Sequence, residues 1–354
     1  MVVRRSSGLT EALSLLAPGR PLREGLDRVL LAKRGALVVV GDHPGVLAIC
    51  SGGFLLDSEF TPQRLSELAK MDGAIILTSD ATRIARANVH LVPDPKTPTT
   101  ETGTRHRTAE RVARSLDVMV ASVSQAMSVV TVYRGEMRHV LQPPSSIVYR
   151  ATQALQTLER FKQRLDTVTG ALSALEIQDS VTARDVATVL QRVEMVVRLA
   201  EELDGYLLEL GDDGRMFRLQ LEELMDGVDQ DRRLVLRDYA LDSVGPEAAG
   251  AALAKLAPND LADLRCIVRL LGLEGADLDI PVEPRGYRML QRIPRFPEAV
   301  VERIVGQFST LQKIMRATVG DLEEVGGVGS ARARSVKDGL ARLAESSILE
   351  SYSS

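Results

Sequence analysis

The chain has 354 residues, of which 45% are hydrophobic and 26% are charged, and its formal net charge is −4. This length predicts two or three domains, and the composition excludes a disordered chain. The absence of Trp and the 3% share of aromatic residues argue against base stacking as a binding mode. Cys50 and Cys266 stand far apart, which argues against a disulfide framework or a zinc knuckle.

Residues 1–145 predict an α/β domain with a mixed central sheet flanked by helices. Apolar, β-rich runs that end at Gly, Asp, Ser or Pro predict strands at 35–41, 45–53, 73–80, 87–94 and 117–124. Residues 128–141 predict a hairpin that turns at Arg134-Gly135. Between strands, Thr61 as N-cap and Pro62 at the first helical position predict a helix start.

Residues 146–284 change to a helical period. Apolar residues recur in alternating steps of three and four from Ala151 to Leu175 and again from Val186 to Leu210. This spacing predicts two long amphipathic helices that form an antiparallel pair. Such stripes are typical of packing surfaces, so we interpret the region as an all-α spine without a cofactor site.

Residues 285–354 form the third predicted domain, and their charge differs from that of the rest. Positions 285–343 carry eleven Lys or Arg against six Asp or Glu, a net charge of +5. The remainder of the chain must therefore carry −9. A basic charge concentrated at one end is the expected footprint of a module that binds a polyanion.

The sequence "LEEVGGVGSARARSV" at 322–336 predicts a helix, a glycine hairpin and a second helix. Val325 and Val328 would fix the hairpin to a core, and Ala333 would permit close helix approach. The pattern resembles the helix-hairpin-helix DNA-binding motif, in which backbone amides at a helix N-terminus face phosphate. Residues 293–305 resemble a degenerate first copy with prolines in place of the hairpin glycines, so its contact with DNA stays open. The DNA-binding candidates are Gly327, Gly329, Arg332, Arg334 and Lys337.

Familiar catalytic patterns are absent: the chain has no P-loop, no strand-linked GxGxxG, no HExxH and no GxSxG. Two stretches could carry phosphate chemistry. Asp72-Gly73, before an apolar strand, could hold a Mg²⁺ that bridges phosphate oxygens, although such a pair is more often a turn. In "ETGTRHRTAE" (101–110), two arginines could neutralise a triphosphate, or the stretch could be a solvated turn before a helix.

Read together, Asp72-Gly73-Ala74 and Gly103-Thr104-Arg105-His106-Arg107 resemble the motif pair of diadenylate cyclase domains. The order of cyclase domain, helical spine and helix-hairpin-helix tail resembles the DisA family of DNA-integrity-scanning diadenylate cyclases. The resemblance implies condensation of two ATP into cyclic di-AMP, with Asp72 catalytic through Mg²⁺ or Mn²⁺. The implied ATP-binding residues are Gly73, Ala74, Leu91, Gly103, Thr104, Arg105, His106, Arg107, Thr108 and Ser124.

The role of His106 stays open at this point: it could be a metal ligand, a catalytic base or a hydrogen-bond donor to phosphate. The family resemblance also implies an octamer and inhibition of synthesis by branched DNA. The alternative is a non-enzymatic helix-hairpin-helix protein of DNA repair whose α/β domain senses nucleotide.

No apolar run approaches the roughly 20 residues of a membrane helix, and Glu11 interrupts the only apolar stretch near the start, so we expect a cytoplasmic protein.

Overall fold

The computed structural model describes residues 7–273, 277–294 and 296–351. The chain divides into two compact units, one made of residues up to 153 together with 203–219, and one made of 154–202 together with 220–354. We call them the N-terminal and C-terminal units. Within the described ranges, no helix has the length and apolar character needed to cross a membrane. The division of the sequence at 145 and 284 stays a prediction.

The N-terminal unit is built on a mixed eight-stranded sheet. Its strands are β1 (Ala36–Val40), β2 (Cys50–Ser51), β3 (Phe54–Glu59), β4 (Ala74–Leu77), β5 (Arg83–Leu91), β6 (Met119–Ser124), β7 (Val129–Arg134) and β8 (Met137–Val140). The order is β2-β5-β4-β1-β6-β7-β8, with β3 paired to β5. Only β1 and β4 are parallel among these pairs. The predicted α/β fold with a mixed sheet is confirmed.

Helices cover both faces of this sheet. They are α1 (Ser7–Leu15), α2 (Pro21–Leu31), α3 (Pro44–Ala48), α4 (Pro62–Leu68) and α5 (Thr104–Leu116). All five residues of β1 are buried. Val38 and Val40 join one core with residues of α1, α2 and α4, whereas Leu37 and Val39 join a second core with residues of α5. Alternate side chains of one strand therefore hold two helical layers.

Several predicted elements are confirmed in detail. The Thr61 hydroxyl accepts a hydrogen bond from the Arg64 amide at 3.1 Å and caps α4. The hairpin of β7 and β8 turns at Gly135, whose φ is +53°. The long helices of the spine are α6 (Pro144–Gln178) and α7 (Ala183–Leu210).

Other predicted strands need correction. The strand predicted at 45–53 is wrong in its first half, because Pro44 begins α3 and only Cys50–Ser51 is strand. β3 was not predicted: its apolar residues, Phe54 to Leu56, are consecutive and exposed, and polar residues follow them, so no alternating pattern marks a strand. β5 starts at Arg83, four residues before the predicted run, because its first residues are only partly apolar. β6 starts at 119 because Asp117 takes a left-handed conformation after α5.

The C-terminal unit is helical, and the chain returns to it at residue 220, within α8 (Arg215–Met225). After a short 3₁₀ turn (Gly211–Gly214) and α8, the chain forms α9 (Val228–Tyr239), α10 (Pro246–Ala254), α11 (Pro258–Ala262), α12 (Leu264–Leu270), α13 (Tyr287–Gln291), α14 (Glu298–Phe308), α15 (Leu311–Arg316), α16 (Val319–Glu323) and α17 (Ser330–Ser351). The last five helices enclose one core. Val325, Val328 and Ala333 are buried in it, as predicted.

The segments that join α13 to α14 and α16 to α17 each place two apolar residues in that core. Ile293 and Phe296 are buried in it with the same three-residue spacing as Val325 and Val328. Arg295, between them, lies outside the described residues. Gly327 has a φ of +82°, and a Cβ there would lie 2.7 Å from Arg303 Nη2, so the second hairpin requires glycine. The proline-containing first copy completes the core.

A buried polar cluster holds α13. The carboxylate of Asp238 on α9 accepts hydrogen bonds from the amides of Gly286, Tyr287 and Arg288 at 2.7, 2.7 and 3.0 Å. Burial, reinforced by the charge of Glu176, raises the pKa of Asp238 to about 7. Arg288 in turn donates to Glu176 at 2.5 Å, and both side chains are buried. Because removing one partner of such a cluster leaves a buried charge unpaired, α13 is tightly tied to α9 and α6.

Candidate nucleotide site

Asp72 and Gly73 stand at the point where the chain enters β4. The Asp72 carboxylate is fully exposed. Gly73 has a φ of +98°, and a Cβ there would lie 2.8 Å from the backbone carbon of Asn88 and 3.0 Å from the Val89 nitrogen. A larger residue would therefore press on the backbone of β5, so glycine is needed to place Asp72 just before the start of β4.

The stretch 101–110 forms the start of α5. Gly103 is its N-cap and makes no side-chain capping bond. The first amides of a helix have no partner within the helix, and the macrodipole places partial positive charge there. This end of α5 is therefore suited to an anion such as phosphate.

Glu110 fixes the loop that leads into α5. Its buried carboxylate accepts a hydrogen bond from the Thr100 amide at 3.0 Å and pairs with Arg114 at 3.1 Å. Burial opposes ionisation, but hydrogen bonds from Thr99 and Thr100 and the Arg114 charge hold the pKa of Glu110 below its usual value. Arg114 also donates to the carbonyl of Pro98 at 2.9 Å. The loop before Gly103 is thus anchored to the helix that follows it.

Arg105 extends from α5 toward the start of β1. A Cβ at Gly35 would lie only 2.2 Å from Arg105 Nη1, so the guanidinium occupies the space that glycine leaves. Arg105 Nη2 lies 3.8 Å from the Asp72 carboxylate. An exposed pair at this distance contributes little to stability. Both groups are therefore available to a ligand at small energetic cost.

His106 is held from behind by a chain of hydrogen bonds. Its Nδ1 lies 2.8 Å from the hydroxyl of Tyr133, which is buried on β7. The Tyr133 hydroxyl donates to Glu101 at 2.8 Å, and Arg138 Nε donates to the same Glu101 oxygen at 2.6 Å. Tyr133 and Arg138 face each other as register partners on β7 and β8. The edge of the sheet thus supports the first turn of α5.

Asp72, the start of α5 and the end of β6 line one open cavity of about 780 Å³. Ligand pockets commonly measure about 300–1,000 Å³, so the space suits a nucleotide. The cavity lining consists of Asp72, Gly73, Gly103, Thr104, Arg105, His106, Val123, Ser124, Gln125 and Ala126. The structure therefore brings together both halves of the motif pair, which are thirty residues apart in the sequence.

Four of the candidate residues lie outside the cavity lining. Ala74 and Leu91 are buried in the core beneath the site. Arg107 is exposed and Thr108 half-buried on α5. Their contacts with ATP stay predictions.

Sequence reasoning missed the residues that support the site. Glu101, Tyr133, Arg138 and Gly35 appear in no motif, and their roles depend on strands that the sequence brings together only in three dimensions. One signal was available: Glu101 lies inside the quoted stretch, two residues before Gly103. Val123, Gln125 and Ala126, which lead out of β6, carried no polar pattern that points to a ligand.

In the tail, some of the DNA-binding candidates make hydrogen bonds within the domain and others are exposed. Arg332 Nη1 donates to the carbonyl of Gly327 at 2.8 Å and so stabilises the hairpin. Lys337 Nζ donates to the carbonyl of Met315 at 2.6 Å. Arg334 is exposed on the first turns of α17, and Gly329 has open space around its Cα. Two of the three basic candidates therefore also have structural roles within the domain.

Comparison with known families matches most of the chain. Residues 23–137 match the DAC family, described as DisA bacterial checkpoint controller nucleotide-binding, and residues 141–278 match the DisA bacterial checkpoint controller linker region. The DNA integrity scanning protein DisA of Parafrankia sp. (strain EAN1pec) is 56% identical over 347 residues, which cover 96% of each chain. That of Streptomyces coelicolor is 52% identical, covering 98% of this chain and 95% of the relative.

Among solved structures, DacA from Staphylococcus aureus is 22% identical, covers 38% of this chain and 83% of its own, and gives a TM-score of 0.27. Identity above one half across nearly the full length decides family membership. The chain belongs to the DisA family, and its N-terminal domain is a nucleotide-binding domain of the diadenylate cyclase family.

Proposed function

We propose that the N-terminal unit condenses two ATP molecules into cyclic di-AMP and releases two pyrophosphates. The observation that carries this proposal is the single cavity in which the Asp72 carboxylate, the N-terminus of α5 and Arg105 meet. The Asp72 carboxylate lies beside two kinds of group that can donate hydrogen bonds to phosphate, backbone amides and a guanidinium. Such a set suits the transfer of a nucleotidyl group. Family membership supports the same reaction.

The chain would hold the triphosphate through α5 and Arg105. The amides that follow Gly103 donate to phosphate oxygens, and Thr104 lies beside them in the cavity. The Arg105 guanidinium can bind phosphate in a planar fork. Ser124, at the end of β6, offers a hydroxyl in the same cavity lining.

Each half-reaction forms one bond and breaks one. The 3′-hydroxyl oxygen of one ATP bonds to the α-phosphorus of the other, and the bond from that phosphorus to the pyrophosphate oxygen breaks. The hydroxyl proton passes to an acceptor, and negative charge grows on the phosphate oxygens. The α5 amides would stabilise that charge because the helix holds them in place before the reaction, and Arg105 would add its positive charge beside them.

The donor set also fits a divalent cation. Among the described residues there is no cluster of three or more His, Cys, Asp or Glu that could enclose an ion. Mg²⁺, however, is usually held by one or two carboxylates together with substrate phosphates. Asp72 would supply that carboxylate to Mg²⁺ or Mn²⁺, and the bound ion would neutralise charge on the phosphates.

The reaction is two-fold symmetric, so one domain with one ATP cannot complete it. Two copies must face each other, which makes self-association part of the proposed mechanism. We further propose the octamer that the family resemblance implies. The site of action would be the cytoplasm, where ATP and DNA are both present.

DNA binding is assigned to the tail by its net charge and its hairpin. The N-terminus of α17, with Arg334 nearby, would contact the phosphate backbone of branched DNA without reading sequence. Binding there would inhibit synthesis by favouring a geometry in which facing ATP sites do not align.

The test is incubation of the full-length protein with ATP and Mg²⁺ or Mn²⁺, followed by chromatography for cyclic di-AMP and pyrophosphate. The matched control is Asp72→Asn, which should remove synthesis but keep most ATP binding. Product from the wild type alone supports the proposal. ATP binding without product in either protein would favour the nucleotide-sensing alternative, and full activity of Asp72→Asn would show that Asp72 has another role.

A further inference from the structure

The hydrogen bonds behind His106 determine which of its ring nitrogens carries a proton. Glu101 receives two donors, and its pKa is lowered: burial opposes ionisation, but the bonds from Tyr133 and Arg138 and the Arg138 charge outweigh it. An ionised carboxylate can only accept hydrogen bonds. In the hydrogen bond between Tyr133 and Glu101, the Tyr133 hydroxyl is therefore the donor.

The phenol hydroxyl of Tyr133 carries one proton and stays protonated. Burial and the neighbouring Glu101 carboxylate raise the pKa of the phenol well above its ordinary value. That proton points at Glu101, so the Tyr133 oxygen can only accept from His106. Hence His106 Nδ1 must carry a hydrogen.

His106 is also held in its neutral form. Burial lowers its pKa, the Glu101 charge opposes this, and the charges of Arg138 and Arg105 lower it further. In a neutral imidazole with a proton on Nδ1, Nε2 has an unshared lone pair. His106 lines the cavity. Because Nδ1 is engaged by the Tyr133 hydroxyl, Nε2 is the ring nitrogen left for a ligand there.

We infer that Tyr133, Glu101 and Arg138 are positioning residues that hold His106 as the Nδ1–H tautomer and present its Nε2 to the nucleotide as an acceptor. The inference deepens the proposed function and rests on it for its catalytic consequence. Neutral His106 then cannot donate a hydrogen bond from Nε2 to phosphate. The roles that remain for Nε2 are to accept the proton of the 3′-hydroxyl or to bind a cation.

The tautomer can be read without turnover. The full-length protein, labelled with ¹⁵N-histidine and sedimented, is suited to magic-angle-spinning NMR, because the chain has only four histidines. A His106→Gln variant identifies the His106 signals. At neutral pH we expect a protonated Nδ1 and an unprotonated Nε2. A proton on Nε2 in the wild type would overturn the inference.

Tyr133→Phe tests the link to catalysis. It removes the acceptor of Nδ1–H, so the Nε2–H tautomer should appear and kcat should fall about 10–100-fold, as for other residues that orient an active-site histidine. KM for ATP should change less. The matched control is Tyr149→Phe on α6, a largely exposed tyrosine outside the site, which should leave both readouts unchanged.

Glu101→Ala is a second variant in case Tyr133→Phe folds poorly. Without its acceptor, the Tyr133 hydroxyl can turn and donate to Nδ1, which should drive His106 to the Nε2–H tautomer and lower kcat. In the wild type, the acidic limb of kcat/KM should lie below pH 6.5, the ordinary pKa of histidine. An unchanged tautomer and kcat in both variants would refute the positioning role. Absence of product from the wild type would refute the proposed function and leave the NMR result to decide the tautomer.

Discussion

Gly73→Ala should damage both the stability and the site of the N-terminal unit. The added methyl would lie 2.8 to 3.0 Å from backbone atoms of Asn88 and Val89 in β5, where no side chain can turn away. The left-handed φ of +98° costs about 1–2 kcal/mol for a residue with a Cβ. Overpacking against a fixed neighbour adds about 1–3 kcal/mol.

Gly52→Ala is the matched control for this variant. Gly52 has a φ of +66°, but nothing lies within 4 Å of the added methyl, so it should show the backbone cost alone. Calorimetry should therefore place the unfolding midpoint of Gly73→Ala below that of Gly52→Ala by about 2–12 °C, at about 2–4 °C for each kcal/mol. Gly73→Ala should also lose product formation, because Asp72 is displaced. Equal midpoints and unchanged activity would refute the close approach of Gly73 to β5.

Three further variants test other parts of the molecule. Arg105→Ala should lower kcat about 10²-fold at saturating ATP, by analogy with the loss of one fixed oxyanion donor, and an unchanged kcat would remove it from the site. Arg334→Ala should weaken DNA binding equally for all sequences and reduce the salt slope by about 1, whereas Arg160→Ala on α6 should not. Because the folded-state pKa of Asp238, about 7, lies above its ordinary 3.8, its ionisation costs stability as pH rises between these values. The wild type should therefore lose free energy of unfolding relative to Asp238→Asn on titration from pH 4 to 7, and a constant difference would contradict the raised pKa.

The sequence was most informative where a local pattern determines the structure. The Thr61 cap, the Gly135 hairpin and the period of α6 and α7 depend on near neighbours, and all three are confirmed. The exposed β3 had no alternating hydrophobic pattern to reveal it, since its apolar residues stand together at Phe54–Leu56. Its place in the sheet follows from its pairing with β5. Edge strands of this kind are determined by pairing, which is invisible in one sequence.

For the site, the motif residues could be found, but not the groups that control them. Asp72 and Gly103 to His106 do meet in one cavity. The tautomer of His106 depends on Tyr133 and Arg138, which reach it through the register of β7 and β8. The contact at Gly35 is equally non-local, since the Arg105 guanidinium occupies the space beside it. These constraints arise only when strands and helix are assembled.

The most direct test of the central claim is the mass of the product made from mixed substrates. Wild-type protein is incubated with equal amounts of unlabelled ATP and ATP whose adenosine is fully ¹³C-labelled, and the product is analysed by mass spectrometry. Condensation of two ATP predicts cyclic di-AMP in light, mixed and heavy forms, with the mixed form the most abundant, and pyrophosphate released at two per product. A product without a mixed form, or no cyclic dinucleotide from a protein that binds ATP, would contradict the account.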